Sequence, residues 1–315
     1  MSRLRLVFCG TPAFAVPPFQ KLLATPEFEI AAVYTQPDRP RGRGQEVSFS
    51  AVKEAALAAD IPVHQPVRVR LPEVEAHLRS LAPDAIIIIA YGQIIPARLL
   101  DIPRLGWINL HASLLPKYRG AAPINWAIAN GETITGNTTM RIDAGMDTGE
   151  MLLRQELPIA PDDTAPEVAS RLSQAGASLM ADTLLGLNSG QLTPQPQEHA
   201  SATLAPMLTR EDGRIAWDRS AQEIYNRMRG FAPWPGAFSE FRGLHCQISG
   251  RPASKQMQSA IPGELLVDGG NVYVACGSAT TLQLSHVKLE GRKQVTASDF
   301  AHGARLLPGE RFTKA

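Results

Sequence analysis

The sequence has few cysteines and no long apolar run. Only 3 of its 315 residues are cysteines, and Cys9, Cys246 and Cys276 lie far apart without the spacing of metal ligands. We therefore expect free thiols in a reducing, cytoplasmic environment. No apolar stretch approaches the roughly 18 residues that a membrane span needs, and the apolar run at the N-terminus is too short for a signal peptide.

A fingerprint for a nicotinamide dinucleotide is also missing. The first strand-like segment ends at Gly10 and continues as GTPAFA, which lacks the three-glycine pattern of such sites. A simple strand-to-helix turn explains this segment at least as well as a cofactor loop. We therefore predict no nicotinamide cofactor, and the sequence disfavours a dehydrogenase.

Charge is nearly balanced over the whole chain but not within its halves. The net charge is +1, so the chain is no polycation. Residues 1–200 contain 17 Lys and Arg against 20 Asp and Glu, whereas residues 201–315 contain 14 against 10. A basic second half is typical of a protein with a polyanionic partner, although scatter in surface charge explains the difference equally well.

Apolar runs alternate with helical patterns in the first half of the chain. Unbroken apolar sequence, as in AIIIIA at 85–90, is typical of a strand that is covered on both faces. The alternation predicts an α/β fold with a doubly wound, Rossmann-like parallel sheet. The predicted strands are 4–9, 30–34, 61–63, 85–90, 107–110, 138–142 and 151–157, and the predicted helices are 13–24, 50–59, 72–81 and 165–187.

The second half has a different pattern. Residues 188–206 are polar, contain three prolines and show little periodicity, which is typical of a linker. After a predicted helix at 221–229, short apolar runs separated by Gly and Pro predict a small β-barrel. We therefore predict a catalytic domain at 1–187, a linker at 188–206 and a C-terminal domain at 207–315. No dimerisation stripe is visible, so we expect a monomer.

The stretch NLHASLLPKYRGAAP, residues 109–123, contains the strongest candidate for chemistry. Asn109 and His111 lie two apart at the end of a predicted strand, so their side chains share a face at the sheet edge where such folds bind ligands. An Asn can stabilise a developing oxyanion, and a His can move protons near neutral pH. A histidine held by ordinary loop hydrogen bonds is the alternative.

Two loops accompany this stretch. DAGMDTGE, residues 143–150, supplies carboxylates that could orient a histidine, or it is a solvated turn. TQPDRPRGRGQEV, residues 35–47, places three arginines among Pro and Gly. Arginine forks suit phosphate groups, although a solvated flexible loop has the same composition.

Together these motifs resemble the folate-dependent formyltransferases. NLHASLLPKYRGAAP and DAGMDTGE carry the family resemblance, while FCGTPAFA, TQPDRPRGRG, AYGQIIP, RIAW and FAPWPGAF resemble the members that act on methionyl-tRNA. The resemblance covers nearly the whole chain in the same order. It implies transfer of the formyl group of 10-formyltetrahydrofolate to the α-amino group of methionine on initiator tRNA, with no metal and no nicotinamide. It also implies that the C-terminal barrel is similar to an oligonucleotide-binding fold.

The resemblance also assigns roles to individual residues. It implies a catalytic set of Asn109, His111 and Asp147. The folate-binding residues that it implies are Ser113, Leu114, Leu115, Pro116, Tyr91, Gly92 and Ile94. For tRNA it implies the loop residues Arg39, Arg41 and Arg43. Charge adds Lys288, Arg292 and Lys293 as RNA contacts, although a solvated loop explains that cluster equally well.

Two other functions are compatible with parts of the pattern. A formyltransferase for a small amine, such as glycinamide ribonucleotide or an amino sugar nucleotide, would share the catalytic residues but would need neither the arginine loop nor the long C-terminal part. A nucleic-acid-binding protein on an inactive formyltransferase fold would have lost Asn109, His111 or Asp147, and all three are present.

Overall fold

The computed structural model describes residues 3–41, 46–255, 257 and 260–313. The chain forms two compact units, and each contains segments from different parts of the sequence. The first unit consists of Met1–Pro123, Ile134–Pro158 and Val168–Pro206; the second consists of Ile124–Thr133, Ile159–Glu167 and Met207–Ala315. The domain boundaries derived from sequence, 1–187, 188–206 and 207–315, stay a prediction beside this division.

Helices and strands alternate in the first half of the chain, whereas the second half consists mostly of strands. The strands are β1 (Leu4–Gly10), β2 (Phe28–Tyr34), β3 (Arg39–Arg41), β4 (Glu46–Ser48), β5 (Val63–His64), β6 (Ala85–Ile89), β7 (Trp107–His111), β8 (Ile134–Arg141), β9 (Met151–Pro158), β10 (Phe238–Phe241), β11 (Leu244–Ala253), β12 (Leu265–Asp268), β13 (Asn271–Ala275), β14 (Thr281–Leu289) and β15 (Val295–Thr296). The helices are α1 (Val16–Ala24), α2 (Ala51–Ala58), α3 (Pro72–Leu81), α4 (Ala97–Leu100), α5 (Pro123–Ala129), α6 (Ala165–Asn188), α7 (Ala221–Gly230) and α8 (Ala297–Ala304).

A seven-stranded sheet organises the first unit, in the order β5-β2-β1-β6-β7-β8-β9. The pairs from β5 to β7 are parallel, whereas β8 and β9 join antiparallel. The winding direction reverses between β1 and β6, so the carboxyl ends of these strands border a crevice of the kind in which doubly wound folds bind ligands. The predicted Rossmann-like α/β fold is confirmed.

Alternation along β1 explains how the sheet is covered on both faces. Leu6 and Phe8 belong to one buried cluster that includes residues of α1 and α6, and Val7 and Cys9 belong to a second cluster that includes residues of α3. Successive side chains of a strand point to opposite faces, so one apolar strand supplies both cores. Parallel strands buried on both faces require such continuous apolar sequence.

The second unit contains an antiparallel sheet in the order β10-β11-β14-β13-β12, with β15 paired to β14. Residues 310–313 close it, because the Phe312 amide donates to the Gly263 carbonyl at 2.9 Å and the Thr313 amide donates to the Glu240 carbonyl at 2.9 Å. One short segment therefore links the edge near β12 to β10. The prediction of a small β-barrel after the α/β sheet is confirmed.

Aromatic side chains fill the interior of this barrel. Trp217 and Phe312 stack with ring centroids 5.4 Å apart, and Phe241 meets Phe300 edge-on at 5.1 Å. Cys246 and Cys276 are buried in the same unit, and burial raises the pKa of each thiol to about 12. Cys9 is also buried and unbonded, so all three cysteines are free thiols, as predicted.

Several element boundaries differ from the sequence prediction. The predicted helix 13–24 begins as a 3-10 turn at Ala13–Ala15 and becomes α-helical only from Val16, next to the first of two prolines. Helices α4, α5 and α8 were missed in the prediction, and β5 lies later than the predicted 61–63. None of the helices in the part of the chain that the structure describes is long and apolar enough to cross a membrane.

Closure of the barrel yields a stability prediction. Phe312 is 1% exposed and contacts three other aromatic rings, so Phe312→Ala should lower the free energy of unfolding of the second unit by about 3–5 kcal/mol. Urea denaturation followed by tryptophan fluorescence measures this loss. The neighbouring Arg311→Ala is the control, because the Arg311 side chain is exposed. Equal losses in the two variants would contradict a closing role for Phe312.

Candidate active site

Strand β7 places Asn109 and His111 at the crevice edge of the sheet. In the register of the sheet, Asn109 lies opposite Ile88 of β6 and Met140 of β8, and His111 lies opposite Thr138. His111 is the last residue of the strand. Because these two residues are separated by one position, their side chains project to the same face of the sheet.

His111 is held through one ring nitrogen and faces a carboxylate with the other. The ring is 5% exposed, and its Nε2 lies 2.9 Å from the carbonyl oxygen of Tyr118. A carbonyl can only accept, so Nε2 carries a hydrogen and donates it. Nδ1 then faces Asp147, whose Oδ2 lies 3.7 Å away. The structure therefore brings Asp147 close to His111, and the catalytic role of the two residues stays a prediction.

Asp147 owes its position to the turn that follows β7. Its Oδ2 accepts a hydrogen bond of 2.8 Å from the Gly120 amide. The residue has φ 53°, in the left-handed region that asparagine and aspartate tolerate better than most other residues. The carboxylate is therefore oriented by a backbone donor, and its backbone conformation depends on support from its surroundings.

The loop that carries Asp147 is closed by its own side chains. The Thr148 hydroxyl donates to Asp143 Oδ1 at 2.7 Å, and the Gly145 amide donates to the same oxygen at 3.0 Å. A side chain at Gly149 would place its Cβ 1.9 Å from the Arg141 carbonyl oxygen. Gly149 is thus required where the loop turns against the end of β8.

Asn109 differs from His111 and Asp147 because its carboxamide is uncommitted, that is, it makes no hydrogen bond to any other residue that the structure describes. The residue is half-buried. A carboxamide offers two N–H donors and a carbonyl acceptor. Beside His111, this group is therefore available to a substrate atom.

The segment Ser113–Pro116 is a turn anchored to β8. The Leu115 amide donates to Thr138 Oγ1 at 3.1 Å, and that hydroxyl donates to the Ser113 carbonyl at 2.7 Å. Ser113 and Leu115 are fully buried, whereas Leu114 and Pro116 are half-buried. Only Leu114 and Pro116 have side-chain surface to offer a ligand, and the other two support the turn from inside.

AYGQIIP divides in a similar way between core and surface. The Tyr91 side chain is buried in the cluster that contains Cys9 and Tyr34, and burial raises the pKa of its hydroxyl. Its carbonyl accepts from Gln36 Nε2 at 3.0 Å and from Thr11 Oγ1 at 3.3 Å. Gly92 has φ 82°, and Ile94 is 92% exposed. Of the predicted folate residues here, Gly92 and Ile94 reach the surface.

Sequence reasoning missed the residues that connect these groups. Tyr118 and Gly120 act through backbone atoms, which leave no signature in side-chain chemistry. Gln197 lies in the stretch predicted as a linker, yet it is 6% exposed and its Nε2 donates to the carbonyls of Asp147 and Gly149 at 2.9 and 2.8 Å. The one available signal was Gly120, since a glycine beside charged residues often marks a special backbone conformation.

Among the residues that the structure describes, no group of three or more His, Cys, Asp or Glu side chains is arranged to hold a metal ion. Comparison with known protein families places the site in context. Residues 4–184 match the formyl transferase family, and residues 207–305 match its C-terminal domain. The chain belongs to the formyl transferase family.

Relatives support this membership over the full length. The methionyl-tRNA formyltransferase of Acidobacterium capsulatum is 52% identical over 98% of this chain and 99% of its own length. The protein of the same name from Koribacter versatilis is 53% identical over 95% of this chain and 96% of its own. This formyl transferase therefore matches these relatives in both of its halves.

Solved structures of other proteins share the fold. The sugar 3N-formyl transferase WlaRD, solved with dTDP and 5-N-formyl-THF, superposes with a TM-score of 0.67 at 18% identity, covering 93% of this chain and all of its own. HypX from Aquifex aeolicus in complex with tetrahydrofolic acid gives 0.62 at 16% identity, covering 95% of this chain and 47% of its own. At these identities the likeness concerns the fold alone.

The residues predicted to contact tRNA lie in two places on this formyl transferase. Arg39 is exposed at the start of β3; Arg41 pairs through its backbone with Glu46, and Arg43 lies outside the described residues. In the second unit the predicted RNA contacts are exposed. Lys288 lies on β14, and Arg292 and Lys293 lie in the turn that follows it.

Side chains of the first unit anchor the base of the arginine loop. Asp38 forms an ion pair with Lys53 and accepts a hydrogen bond of 2.8 Å from Gln65 Nε2. The bond from Lys53, followed by that from Gln65, lowers the pKa of Asp38. The residue that precedes the arginines is therefore fixed to α2 and to the segment after β5.

The close approach at Gly120 yields a prediction. Gly120 has φ 116°, and a Cβ there would lie 2.7 Å from the Ala205 carbonyl oxygen, so Gly120→Ala must displace the amide that holds Asp147. We expect the formyl-transfer rate to fall at least about 10-fold, because small displacements of reacting groups are costly. Gly190→Ala is the control, since Gly190 also has positive φ but open space around it. Similar rates in both variants would contradict the assignment.

Proposed function

We propose that this chain is a methionyl-tRNA formyltransferase, which transfers the formyl group of 10-formyltetrahydrofolate to the α-amino group of methionine on initiator tRNA. The observation that carries the proposal is the approach of His111 and Asp147 beside the uncommitted carboxamide of Asn109. The full-length relatives at 52–53% identity that bear this name support the choice of substrate.

The reaction exchanges one carbon–nitrogen bond for another. The methionine amine attacks the formyl carbon, a new C–N bond forms, and negative charge develops on the formyl oxygen. The bond from the formyl carbon to the folate nitrogen then breaks, and a proton that leaves the amine replaces the formyl group on that nitrogen. The protein must therefore stabilise an oxyanion and move one proton.

Asn109 and His111 have the chemistry for the oxyanion. The Asn109 carboxamide is free to donate to the formyl oxygen, and preoriented donors of this kind stabilise the charge that develops there. The His111 ring donates through Nε2 to Tyr118, so Nδ1 faces the reacting groups and can donate to the formyl oxygen only in the imidazolium form, which carries a hydrogen on both nitrogens. The 3.7 Å between Nδ1 and Asp147 Oδ2 exceeds hydrogen-bond distance and leaves both atoms able to engage a third group.

Asp147 is the base in this proposal. Its carboxylate accepts from the Gly120 amide through Oδ2, and a carboxylate has lone pairs left for a further donor. The attacking amine must lose a proton, and Asp147 can receive it directly or through water. The same carboxylate orients His111 for its role at the oxygen.

In this proposal 10-formyltetrahydrofolate binds to the protein surface beside Asn109, His111 and Asp147. Leu114 and Pro116 of the turn Ser113–Pro116, with Gly92 and Ile94, offer side-chain or backbone surface at the crevice edge. Ser113, Leu115 and Tyr91 are buried, so their contribution is to hold these segments in place. This assignment narrows the sequence prediction to four residues that a folate can touch.

In this proposal basic side chains bind the tRNA substrate. Arg39, Arg41 and Arg43 in the first unit and Lys288, Arg292 and Lys293 in the second would contact phosphates, which contribute most of the affinity for nucleic acids and make it salt-dependent. A role in starting translation also places the protein in the cytoplasm. We propose that it acts there as a monomer.

A transfer assay tests the proposed function. We expect the purified protein to transfer the formyl group of 10-formyltetrahydrofolate to methionine on initiator tRNA, and much less to methionine on elongator tRNA. The product can be resolved by acid gel electrophoresis of the aminoacyl-tRNA. Free methionine and an amino sugar nucleotide serve as alternative acceptors. If neither tRNA received a formyl group, the proposal would be defeated. Transfer to the amino sugar nucleotide alone would favour the rival function, a formyltransferase for a small amine.

Substitution of the catalytic candidates separates chemistry from binding. Asn109→Ala and His111→Ala should each lower kcat by roughly 10²–10³, the usual cost of removing one oxyanion donor. Binding of tRNA should persist, because neither side chain belongs to the basic set, and filter binding measures it. His302→Ala, which changes an exposed histidine of α8, is the control. A normal kcat in either variant would rule out that residue's role.

A further inference from the structure

We propose that Gln197 is a positioning residue for Asp147, fixed in turn by the buried guanidinium of Arg119. This inference rests on the proposed function for the role of Asp147. Gln197 follows helix α6 by nine residues, in the stretch whose composition predicts a linker. Its side chain nevertheless lies in the interior of the first unit, at 6% exposure.

The amide of Gln197 has only one orientation that fits its neighbours. Arg119 donates from Nε and Nη2 to Gln197 Oε1, at 3.0 and 2.6 Å. Because a guanidinium can only donate, the atom that it meets must be the amide oxygen. The amide nitrogen then points to the carbonyls of Asp147 and Gly149, at 2.9 and 2.8 Å. Both hydrogens of the NH₂ group are used.

Arg119 is unusual because it is buried without an acid. It is 6% exposed, and no carboxylate among the described residues lies within ion-pair distance of its guanidinium. Its other contact runs from Nη2 to His199 Nδ1, at 3.2 Å. Buried arginines are normally paired with acids, so a guanidinium that directs two of its nitrogens at one glutamine oxygen indicates that the orientation of this amide matters.

The backbone around both residues is tied together. The Arg119 amide donates to the Thr203 carbonyl at 2.8 Å, and the Ala205 amide donates to the Arg119 carbonyl at 2.7 Å. At the other end, Gln195 and Met151 exchange two backbone hydrogen bonds of 2.8 Å. Residues 195–205, which we call the strap, therefore join the turn at residues 118–120 to the start of β9.

Asp147 needs this support because its backbone conformation is unfavourable. A non-glycine residue at φ 53° persists only where its surroundings hold it. Gly120 holds the carboxylate, and Gln197 holds the backbone of the same residue. Without the Gln197 donors the loop can relax towards a commoner conformation, and Asp147 Oδ2 would leave its place opposite His111. The turn at residues 118–120 thus acts on Asp147 twice, directly through Gly120 and indirectly through Arg119 and Gln197.

The test compares Gln197→Glu with Gln195→Glu. The first change keeps the size of the side chain but removes both N–H donors. The second makes the same chemical change two positions away, on an exposed side chain. We expect Gln197→Glu to lower kcat about 10–100-fold, as a small misplacement of a reacting group does, with KM for tRNA within about twofold. Gln197→Met, which lacks the donors without adding charge, should behave alike and serves if the first variant does not fold.

A double-mutant cycle distinguishes positioning from general structural support. In an Asp147→Ala background the change at Gln197 should have almost no further effect on kcat, because the group through which it acts is gone. Losses that multiply in the double variant would overturn the proposal, and so would a folded Gln197→Glu protein with wild-type kcat. The pH profile of kcat should shift in Gln197→Glu and stay unchanged in Gln195→Glu.

A second readout does not depend on activity. The ring nitrogen signals of His111, observed by NMR, should shift in Gln197→Glu and remain in place in Gln195→Glu. If the unmodified protein transferred no formyl group, the proposed function would fail, and these signals would still decide whether Gln197 holds Asp147 against His111. Unchanged His111 signals in Gln197→Glu would refute the positioning role.

Discussion

Two backbone groups in one short turn, residues 118–120, determine the geometry of the candidate site. The Tyr118 carbonyl receives the His111 ring proton, and the Gly120 amide binds the Asp147 carboxylate. The two side chains come from segments 36 residues apart in sequence, so nothing local relates them. Their approach depends on this turn, and the turn depends on the close passage of residues 203–205, which leaves no space for a side chain at Gly120.

The topology of the sheet makes this meeting possible. Strands β8 and β9 extend the parallel sheet in the antiparallel sense, and the loop that connects them returns to the crevice edge beside the end of β7. A further parallel strand would have required a crossover and would have placed its connection differently. The acid of the site is therefore delivered by a hairpin loop, whereas the amide and the imidazole are delivered by a strand.

Sequence predicted the elements whose side chains follow a simple pattern. The run at 85–90 became the buried strand β6, and the expectation that Asn109 and His111 lie at a strand end was correct because apolar residues precede them in β7. The segment at 310–313 that closes the barrel was missed, since backbone hydrogen bonds define it. Gln197 was missed for a related reason: one buried amide in a polar, proline-containing stretch has the composition of an exposed linker.

The position of the strap in the sequence determines how late in synthesis the candidate site can be completed. Synthesis proceeds from the N-terminus, and domains generally fold as units while the chain emerges. The last strand of the first sheet ends at Pro158 and helix α6 at Asn188, but the hydrogen bonds to Arg119 come from Thr203 and Ala205. A nascent chain that has finished its sheet therefore still lacks the groups that support Asp147. The site reaches its final geometry only when the polypeptide has been extended beyond residue 205, after the segments Ile124–Thr133 and Ile159–Glu167 of the second unit have already been made.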